Sequence, residues 1–478
     1  MNHLSRLLLL FTIILVEGYV VLSTELLAIR ETLPFVGSGT DTVSIIIAAV
    51  LMPLAFGYHA GGQHTQRQPN GSYISLRKRL VKNLMISQAI LFVGLSYVLL
   101  SLFFQTLIES GLSNRLLLTA LYAACFLVVP VYLLGQTVPL ISNYFSKRKL
   151  SDITGKMLFF STLGSFLGAT LSTLVLMSIF GVHVTVTVNF FLLAILVLLL
   201  EKNKMSERVL LSWGIAFCGL YLNSGSIMES FHIVKDNKYN TIAVVEENGK
   251  RHLILNNSFS SMYSDKGDRY ELIKFMEHIA IDSIPKEDPA KDILVIGAGA
   301  FTLGHGDLKN NYTFVDIDKD LKPVAEQYIL KEKLPPNVTF YPEEARAFLM
   351  REKKKYDIIV LDTYFGFMTI PEHLMTADYF LQIKNHIKEG GLVLTNLVVS
   401  PNMTNPLSQN LYNTFHAVFP HTTMEVIGHN HHLWDKDTNA LENVIYIYKH
   451  NENARTDTIY TDNKNSVFYD KSAKLHRY

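Results

Sequence analysis

Cysteine is nearly absent from this sequence: its 478 residues include only Cys125 and Cys218. Two isolated cysteines exclude a framework of several disulfides and a zinc site built from spaced cysteine pairs. An excess of one charge is also lacking, because 43 basic and 42 acidic residues give a formal net charge of +1. Without a basic surplus, we do not expect the chain to bind nucleic acid.

Charged residues are also scarce in the first half of the chain. A helix needs roughly 20 apolar residues to cross the hydrocarbon core of a bilayer. Six runs of this length occur in the first half of the chain. The first run continues past Glu17 without the small-residue cleavage site of a signal peptide, so it is interpreted as a retained helix. We therefore predict a helical transmembrane domain over residues 1–225, embedded in the lipid bilayer. Its six spans lie near residues 7–29, 43–61, 84–108, 116–141, 157–180 and 183–200.

Basic residues follow the second, fourth and sixth runs, and such loops face the cytoplasm. They are Arg67, Arg77, Lys78, Arg79, Lys82, Lys147, Arg148, Lys149, Lys156, Lys202, Lys204 and Arg208. A seventh run, Val209 to Leu222, forms only about 21 Å of helix, short of the roughly 30 Å core. If it stays at the interface, the C-terminal half is cytoplasmic; if it crosses, that half lies outside. The short length of the seventh run favours the cytoplasmic location. We therefore expect a multi-pass protein of a bacterial-type cell membrane with a cytoplasmic soluble domain.

Some residues of the first half do not fit a purely apolar span. Glu17, Glu25 and Arg30 lie in or beside the first run, where ionisable groups are expensive. They belong either to structural ion pairs and interface anchors or to a polar substrate or lipid pathway, and the sequence leaves both open. The segment GSFLG, Gly164 to Gly168, has small residues four apart and predicts a close contact between two helices.

The second half reads as two further units. From Phe231 the segments FHIVKD, NTIAVVEENG and KRHLILNN alternate like strands, with a hairpin signal at Glu-Asn-Gly. We predict a small β-hairpin subdomain and connecting helix over residues 226–290. Strands and helices then alternate over residues 291–478, which predicts a Rossmann-like α/β domain with a mostly parallel sheet. Ligands bind such sheets at the carboxyl ends of the strands.

A glycine-rich turn follows the first strand of that domain, in ILVIGAGAFTLG. Gly297 and Gly299 fit a dinucleotide fingerprint, but the third position is Thr302 and the next glycine is Gly304. The spacing G-x-G-x-x-x-x-G suits a nucleoside such as S-adenosylmethionine, which has no pyrophosphate to hold. We therefore predict that the three glycines bind such a co-substrate.

Acidic residues end the following strands. Asp316 is placed to accept both ribose hydroxyls, and Glu344, preceded by Glu343, begins a helix where an acid can meet an adenine amino group. Asp362 ends the fourth strand and faces the same cleft. The alternative is that Asp316 and Glu344 cap helices.

The order GAGAFTLG, VDID, EEARAFL and YDIIVLDTY resembles the spermidine synthase-like proteins, which are transferases of the class I S-adenosylmethionine-type fold. The first half, with EGYVVLSTELLAIR and LLGQTVPLI, resembles the membrane region fused to such domains in some bacterial proteins. The resemblance implies decarboxylated S-adenosylmethionine or S-adenosylmethionine as co-substrate. It assigns nucleoside binding to Gly297, Gly299, Asp316, Glu344 and Asp362.

The sequence also departs from that family. Spermidine synthases have a second aspartate after the fourth strand, and Phe365 occupies its place here. A general base needs a proton acceptor within reach. Asp362, Tyr364 and His373 remain as catalytic candidates. The Tyr-His-Glu segment near the family's amine site is also missing, since the corresponding helix reads IKFMEHIA.

We therefore expect a membrane-anchored transferase whose acceptor is a small-molecule amine or a membrane-delivered substrate, and not plain putrescine. The alternatives are an S-adenosylmethionine-dependent methyltransferase or lyase, and a transporter or sensor whose nucleoside domain only binds. His429, His431 and His432 are interpreted as solvated residues rather than metal ligands. The sequence leaves homo-oligomer formation open.

Overall fold

The structure is a computed structural model. It describes residues 3–37, 39–63, 75–112, 114–143, 150–282, 285, 287–364, 370–427, 441–450 and 462. Helices make up the first half of the chain, and two β-sheets with flanking helices make up the second. The predicted order of a helical region followed by a Rossmann-like α/β domain is confirmed.

The helices of the first half form a bundle. They are α1 (His3–Val36), α2 (Thr40–Gly62), α3 (Leu76–Leu95), α4 (Tyr97–Glu109), α5 (Arg115–Ala123), α6 (Val129–Gly135), α7 (Thr137–Ser142), α8 (Leu150–Thr170), α9 (Val182–Leu200), α10 (Glu207–Leu222) and α11 (Gly225–Ser230). π-Helical segments, Ala124–Val128 and Leu171–Phe180, extend α5 and α8. Within the described residues, 5 helical stretches are long and apolar enough to cross a membrane, and the number is 6 if α3 and α4, bent by 66°, are counted as one stretch. These stretches correspond to the six predicted runs.

The GSFLG segment brings α8 against α1 as its small residues predict. A Cβ atom on Gly164 would lie 2.0 Å from the carbonyl oxygen of Leu15, and one on Gly168 would lie 2.3 Å from that of Tyr19. Only glycine allows the two backbones to approach so closely. Further along the same contact, the Ser172 hydroxyl donates to the Ser23 hydroxyl at 2.7 Å.

The short seventh run belongs to α10, which packs beside α9. The Gln88 side chain of α3 donates to the carbonyls of Phe190 in α9 and Ser212 in α10, both at 3.0 Å. At one end of the bundle, Arg208 pairs with Glu201 at 3.2 Å. At the other end, Asn223 donates to Ser96 at 3.4 Å. The helix α10 therefore runs along the bundle from the end where α9 finishes to the end where α3 finishes.

The small β subdomain is a 4-stranded antiparallel sheet in the order β1-β2-β3-β4. Its strands are β1 (Ile233–Asp236), β2 (Thr241–Glu247), β3 (Lys250–Leu255) and β4 (Ser258–Ser264). The predicted hairpin turn lies at Asn248 and Gly249, whose φ angles of 52° and 74° are left-handed. The strand β4 was not predicted.

The Rossmann-like domain has a 7-stranded sheet in the order β10-β11-β9-β8-β5-β6-β7. The strands are β5 (Asp292–Ile296), β6 (Asn311–Asp316), β7 (Val338–Pro342), β8 (Tyr356–Leu361), β9 (Ile387–Val399), β10 (Thr423–Ile427) and β11 (Glu442–Lys449). The helices before and within it are α12 (Glu271–Glu277), α13 (Leu321–Val324), α14 (Ala345–Arg351), α15 (Ala377–Asn385) and α16 (Pro406–Val418). Strands β5 to β9 are parallel, and β11 runs antiparallel to both of its neighbours, β9 and β10. The sheet is therefore mostly parallel, as predicted.

A buried polar junction attaches the second half to the bundle. Arg30 of α1 donates to the Asn237 carbonyl at 2.8 Å and to the Thr241 hydroxyl at 3.1 Å, and its guanidinium lies 3.3 Å from the Asp236 carboxylate. The same carboxylate accepts from the backbone N–H of Val182, at the start of α9, at 2.8 Å. Of the two alternatives for Arg30, the structural ion pair is observed.

Candidate active site

Gly297, the first glycine of the turn, lies where three strands meet, and a larger residue would not fit there. Gly297 has a left-handed φ of 97°, and a Cβ atom there would lie 2.0 Å from the carbonyl oxygen of Asp362. Its N–H donates to Val315 of β6 at 2.9 Å, and the N–H of Asp362 donates to Ile296 of β5 at 2.9 Å. The turn therefore lies where the carboxyl ends of β5, β6 and β8 come together.

The second glycine packs against the small β subdomain. A Cβ atom on Gly299 would lie 2.5 Å from the Ser261 hydroxyl oxygen, and that oxygen accepts from the Ala300 N–H at 3.0 Å. Strand β4 thus holds the glycine turn in place. Ser261 was missed as a site residue, although the segment LILNNSFSSM that contains it resembles the family's β domain.

The third glycine, Gly304, faces protein rather than the cleft. A Cβ atom there would lie 2.3 Å from the Tyr312 ring, and its N–H donates to the Glu277 carboxylate at 2.6 Å. Glu277 also forms an ion pair with Arg269. The helix that replaces the Tyr-His-Glu segment therefore supports the glycine turn, and a ligand contact by Gly304 stays a prediction.

Asp316 is held by the turns around it. Its two carboxylate oxygens accept from the N–H groups of Ala298 at 2.9 Å and Asp318 at 3.0 Å. Each oxygen retains a lone pair that can accept a ribose hydroxyl. Burial raises the pKa of Asp316 to about 6, while these backbone hydrogen bonds oppose the shift. Since α13 begins only at Leu321, Asp316 orders the strand ends rather than capping that helix.

A second layer of polar groups supports Asp316. The Asn237 side chain donates to Asp318 at 2.9 Å and to Asp320 at 2.7 Å, and Asn240 donates to Asp318 at 2.8 Å. The carboxylate of Asp318 is fully buried. The carbonyl of the same Asn237 accepts from α1, so hydrogen bonds connect the bundle with the loop after Asp316. The sequence pattern identified neither asparagine.

Glu344 both caps a helix and pairs with a candidate catalytic residue. One carboxylate oxygen accepts from the Ala347 N–H at 2.8 Å, at the start of α14, and the other lies 3.2 Å from His373 Nε2. The capping alternative is thus observed for Glu344. Its contact with adenine, and a catalytic role for His373, stay predictions. Glu343 instead pairs with Arg351 at 2.9 Å.

Asp362 and Tyr364 both form hydrogen bonds with Asn396 of strand β9. The Asn396 amide donates to the Asp362 carboxylate at 2.9 Å, and burial raises the pKa of Asp362. The Tyr364 hydroxyl donates to the Asn396 carbonyl at 3.1 Å and accepts from the Val398 N–H at 2.6 Å. Burial, followed by the nearby Asp362 charge, raises the pKa of Tyr364. Tyr364 therefore joins β8 to β9, and this geometry favours a positioning role over that of a general base.

Two earlier interpretations concern residues outside the described part of the chain. Phe365, at the place of the second acid, belongs to residues 365–369, and the three histidines of GHNHHLWDKD belong to residues 428–440. Among the described residues, no group of three or more histidine, cysteine, aspartate or glutamate side chains is placed to hold a metal ion.

Comparisons with known proteins address this same region. Residues 274–428 match the model of the spermine/spermidine synthase domain. A probable polyamine aminopropyl transferase of Bifidobacterium longum is 28% identical over 136 residues, which is 28% of this chain and 30% of the relative. The polyamine aminopropyltransferase of Saccharolobus islandicus is 23% identical over 205 residues, or 41% of this chain and 66% of the relative. The chain thus spans 30% of the first relative's length and 66% of the second's.

Solved structures with a similar fold include two spermidine synthases. A probable one from Corynebacterium glutamicum has 17% identity and a TM-score of 0.38, with 46% of this chain and 80% of that chain covered. One from Thermotoga maritima has 14% identity and a TM-score of 0.35, with 47% and 79% covered.

The sheet and its glycine turn define a transferase fold of the class I S-adenosylmethionine type. The matching family model and the curated relatives specify it further. Residues 274–428 are similar to the spermine/spermidine synthase domain, and the curated relatives that match this region are aminopropyltransferases.

The position of Tyr364 leads to a prediction. Tyr364→Phe should lower the free energy of unfolding by about 1–3 kcal/mol, because the Val398 N–H loses its acceptor. Chemical denaturation followed by fluorescence measures this change. The control is Tyr341→Phe, since the described residues offer the Tyr341 hydroxyl no hydrogen-bond partner. A Tyr364→Phe protein as stable as the wild type would contradict the positioning role.

Proposed function

We propose that the protein is a membrane-anchored spermidine synthase-like transferase that uses decarboxylated S-adenosylmethionine or S-adenosylmethionine as co-substrate. The observation that carries the proposal is the convergence of the glycine turn, Asp316 and Asp362 at the ends of three adjacent parallel strands. The sheet brings these residues together. They provide a glycine turn whose backbone can approach the co-substrate, an acceptor for ribose hydroxyls, and a carboxylate beside the reaction centre.

Asp362 is the best candidate for handling the attacking amine. An amine with a pKa near 10 is almost wholly protonated at pH 7, so it must lose a proton before its nitrogen attacks. The raised pKa of Asp362 makes its carboxylate a better proton acceptor, and Asn396 holds it in place. The amine nitrogen then bonds to the carbon attached to sulfur, that carbon–sulfur bond breaks, and a neutral thioether leaves.

We infer an acceptor less charged than putrescine, or one delivered along the helical domain. The second acid of spermidine synthases is replaced by Phe365, which removes one carboxylate for a diamine. Glu372, an acid in the segment that follows Asp362, lies within electrostatic reach of Arg115 at the start of α5. This contact between the segment and the bundle supports delivery of the acceptor from the side of the bundle.

Mass spectrometry of the nucleoside product tests this function. Full-length protein in detergent is incubated with each co-substrate and with putrescine or a long-chain primary amine. Methylthioadenosine would mark aminopropyl transfer, and S-adenosylhomocysteine would mark methyl transfer. Asp316→Asn should weaken co-substrate binding about ten- to a hundredfold, because charge-assisted hydrogen bonds to ribose are lost.

The matched control is Glu343→Gln, which removes only an ion pair at the surface and should leave binding unchanged. Formation of neither nucleoside product under any condition would contradict the proposed function. Rapid formation of spermidine from putrescine would contradict the inferred acceptor.

We also propose that the soluble half lies outside the cytoplasm, in place of the cytoplasmic location expected from the sequence. Two observations support this proposal. Among the described basic residues, Arg77, Lys202 and Lys204 flank the bundle end at which α3 begins and α9 finishes, where Arg77 donates to the Leu200 carbonyl. The Arg30–Asp236 junction lies at the opposite end, where α9 begins. If basic loops face the cytoplasm, the soluble half faces away from it.

Alkaline phosphatase or green fluorescent protein fused after Tyr478 tests the location in intact bacteria. The outward orientation predicts active phosphatase and a dark fluorescent fusion. As a control, Lys204→Cys in a background with Cys125 and Cys218 replaced by alanine should resist a membrane-impermeant thiol reagent. A fluorescent fusion with inactive phosphatase would contradict this orientation.

A further inference from the structure

One face of α1 carries a row of buried polar residues that the transfer chemistry does not use. Glu17, Thr24 and Glu31 are spaced seven apart, so they lie along one side of the helix with only about 20° of drift per heptad. Their exposed fractions are 1%, 0% and 3%. At about 1.5 Å per residue, the row extends roughly 21 Å toward the soluble half.

The row presents acceptor oxygens that lack donors. Both carboxylate oxygens of Glu17, the hydroxyl oxygen of Thr24 and one carboxylate oxygen of Glu31 have no hydrogen-bond partner among the described residues. An unsatisfied buried polar group costs about 1–3 kcal/mol and a charged one more. Helix packing alone would be served better by apolar side chains, because an isolated charge in a bilayer is expensive.

The two ends of the row differ in their surroundings. Tyr58 of α2 lies within electrostatic reach of Glu17, and the adjacent Gly18 packs on Ser161 of α8, so the first acid is enclosed by three helices. Glu31 lies 4.0 Å from His183, at the start of α9 and next to the junction with the soluble half. The row therefore leads from the bundle interior to the base of the soluble half.

We propose that Glu17, Thr24 and Glu31 form a binding path for the primary ammonium group of an organic amine. An ammonium carries three N–H donors and no acceptor, which complements a row of acceptor oxygens. Its positive charge also compensates the buried carboxylates. This site lies in the helical domain and adds amine binding, or passage, to the proposed transfer, without depending on that transfer.

Equilibrium binding of radiolabelled putrescine to the full-length protein in lipid nanodiscs tests the proposal. Putrescine serves here as a probe with ammonium groups, and competition by n-butylamine would show that one ammonium suffices. Glu17→Gln keeps the shape of the side chain, removes the charge, and should weaken binding at least tenfold. Thr24→Val replaces only the hydroxyl and should weaken it less, by about threefold. Glu207→Gln, at an exposed position in α10, should bind like the wild type.

The affinity of each variant for S-adenosylhomocysteine is measured on the same samples. This affinity reports on the nucleoside site. A wild-type protein that does not bind S-adenosylhomocysteine would therefore count against the proposed function and not against the ammonium path. The path is overturned if the wild type binds no putrescine, which would mean that the acids are simply protonated, or if Glu17→Gln binds it normally. Should Glu17→Gln fail to fold, unchanged binding by Thr24→Val overturns the path and weakened binding supports it.

Discussion

The ion pair between Arg30 and Asp236 is the contact on which the arrangement of the two halves depends. Both side chains are 6% exposed, so water cannot compensate either charge if its partner is removed. Breaking a buried pair by removing one partner costs several kcal/mol, because the remaining charge is uncompensated. Asp236 also accepts from the backbone at the start of α9, where an acid is favoured by the helix dipole. Two helices of the bundle and the first strand of the β subdomain are thereby tied together.

The same contact reaches the candidate cofactor site through Asn237. The asparagine carbonyl accepts from Arg30, and its amide donates to Asp318, whose N–H donates to Asp316. Because each step is a buried hydrogen bond with limited freedom, a displacement of α1 would shift the loop that carries Asp316. The helical domain is in this account a structural part of the nucleoside site. The proposed ammonium path on α1 ends at this junction.

The sequence predicted those parts of the site that depend on local spacing. Glycines after a strand, with acids at the ends of the next strands, placed Gly297, Asp316 and Asp362 at one edge of the sheet. Residues that act across long sequence separations were missed. Ser261 and Asn396 are ordinary strand residues until folding brings them to the glycine turn and to Asp362.

The path of α10 could not be predicted for a similar reason. The run Val209 to Leu222 forms only about 21 Å of helix, short of the roughly 30 Å hydrocarbon core, so its length alone favoured a segment at the membrane interface. Its actual course is set by tertiary contacts, chiefly the Gln88 amide that holds both α9 and α10. For Gly304 the motif predicts a ligand contact that stays a prediction, and tertiary structure adds two neighbours that the motif did not indicate, Tyr312 and Glu277.

The claim that the helical domain supports the nucleoside site is tested most directly at Asn237, which lies one residue layer behind Asp316. Calorimetry would compare S-adenosylhomocysteine binding to the full-length wild type and to Asn237→Ala, with the exposed Asn311→Ala as control. Removal of the amide takes one side-chain donor from each of Asp318 and Asp320 and leaves Asp318 with Asn240, so the account predicts an affinity about tenfold lower for Asn237→Ala and unchanged for the control. A folded Asn237→Ala protein with wild-type affinity would contradict it.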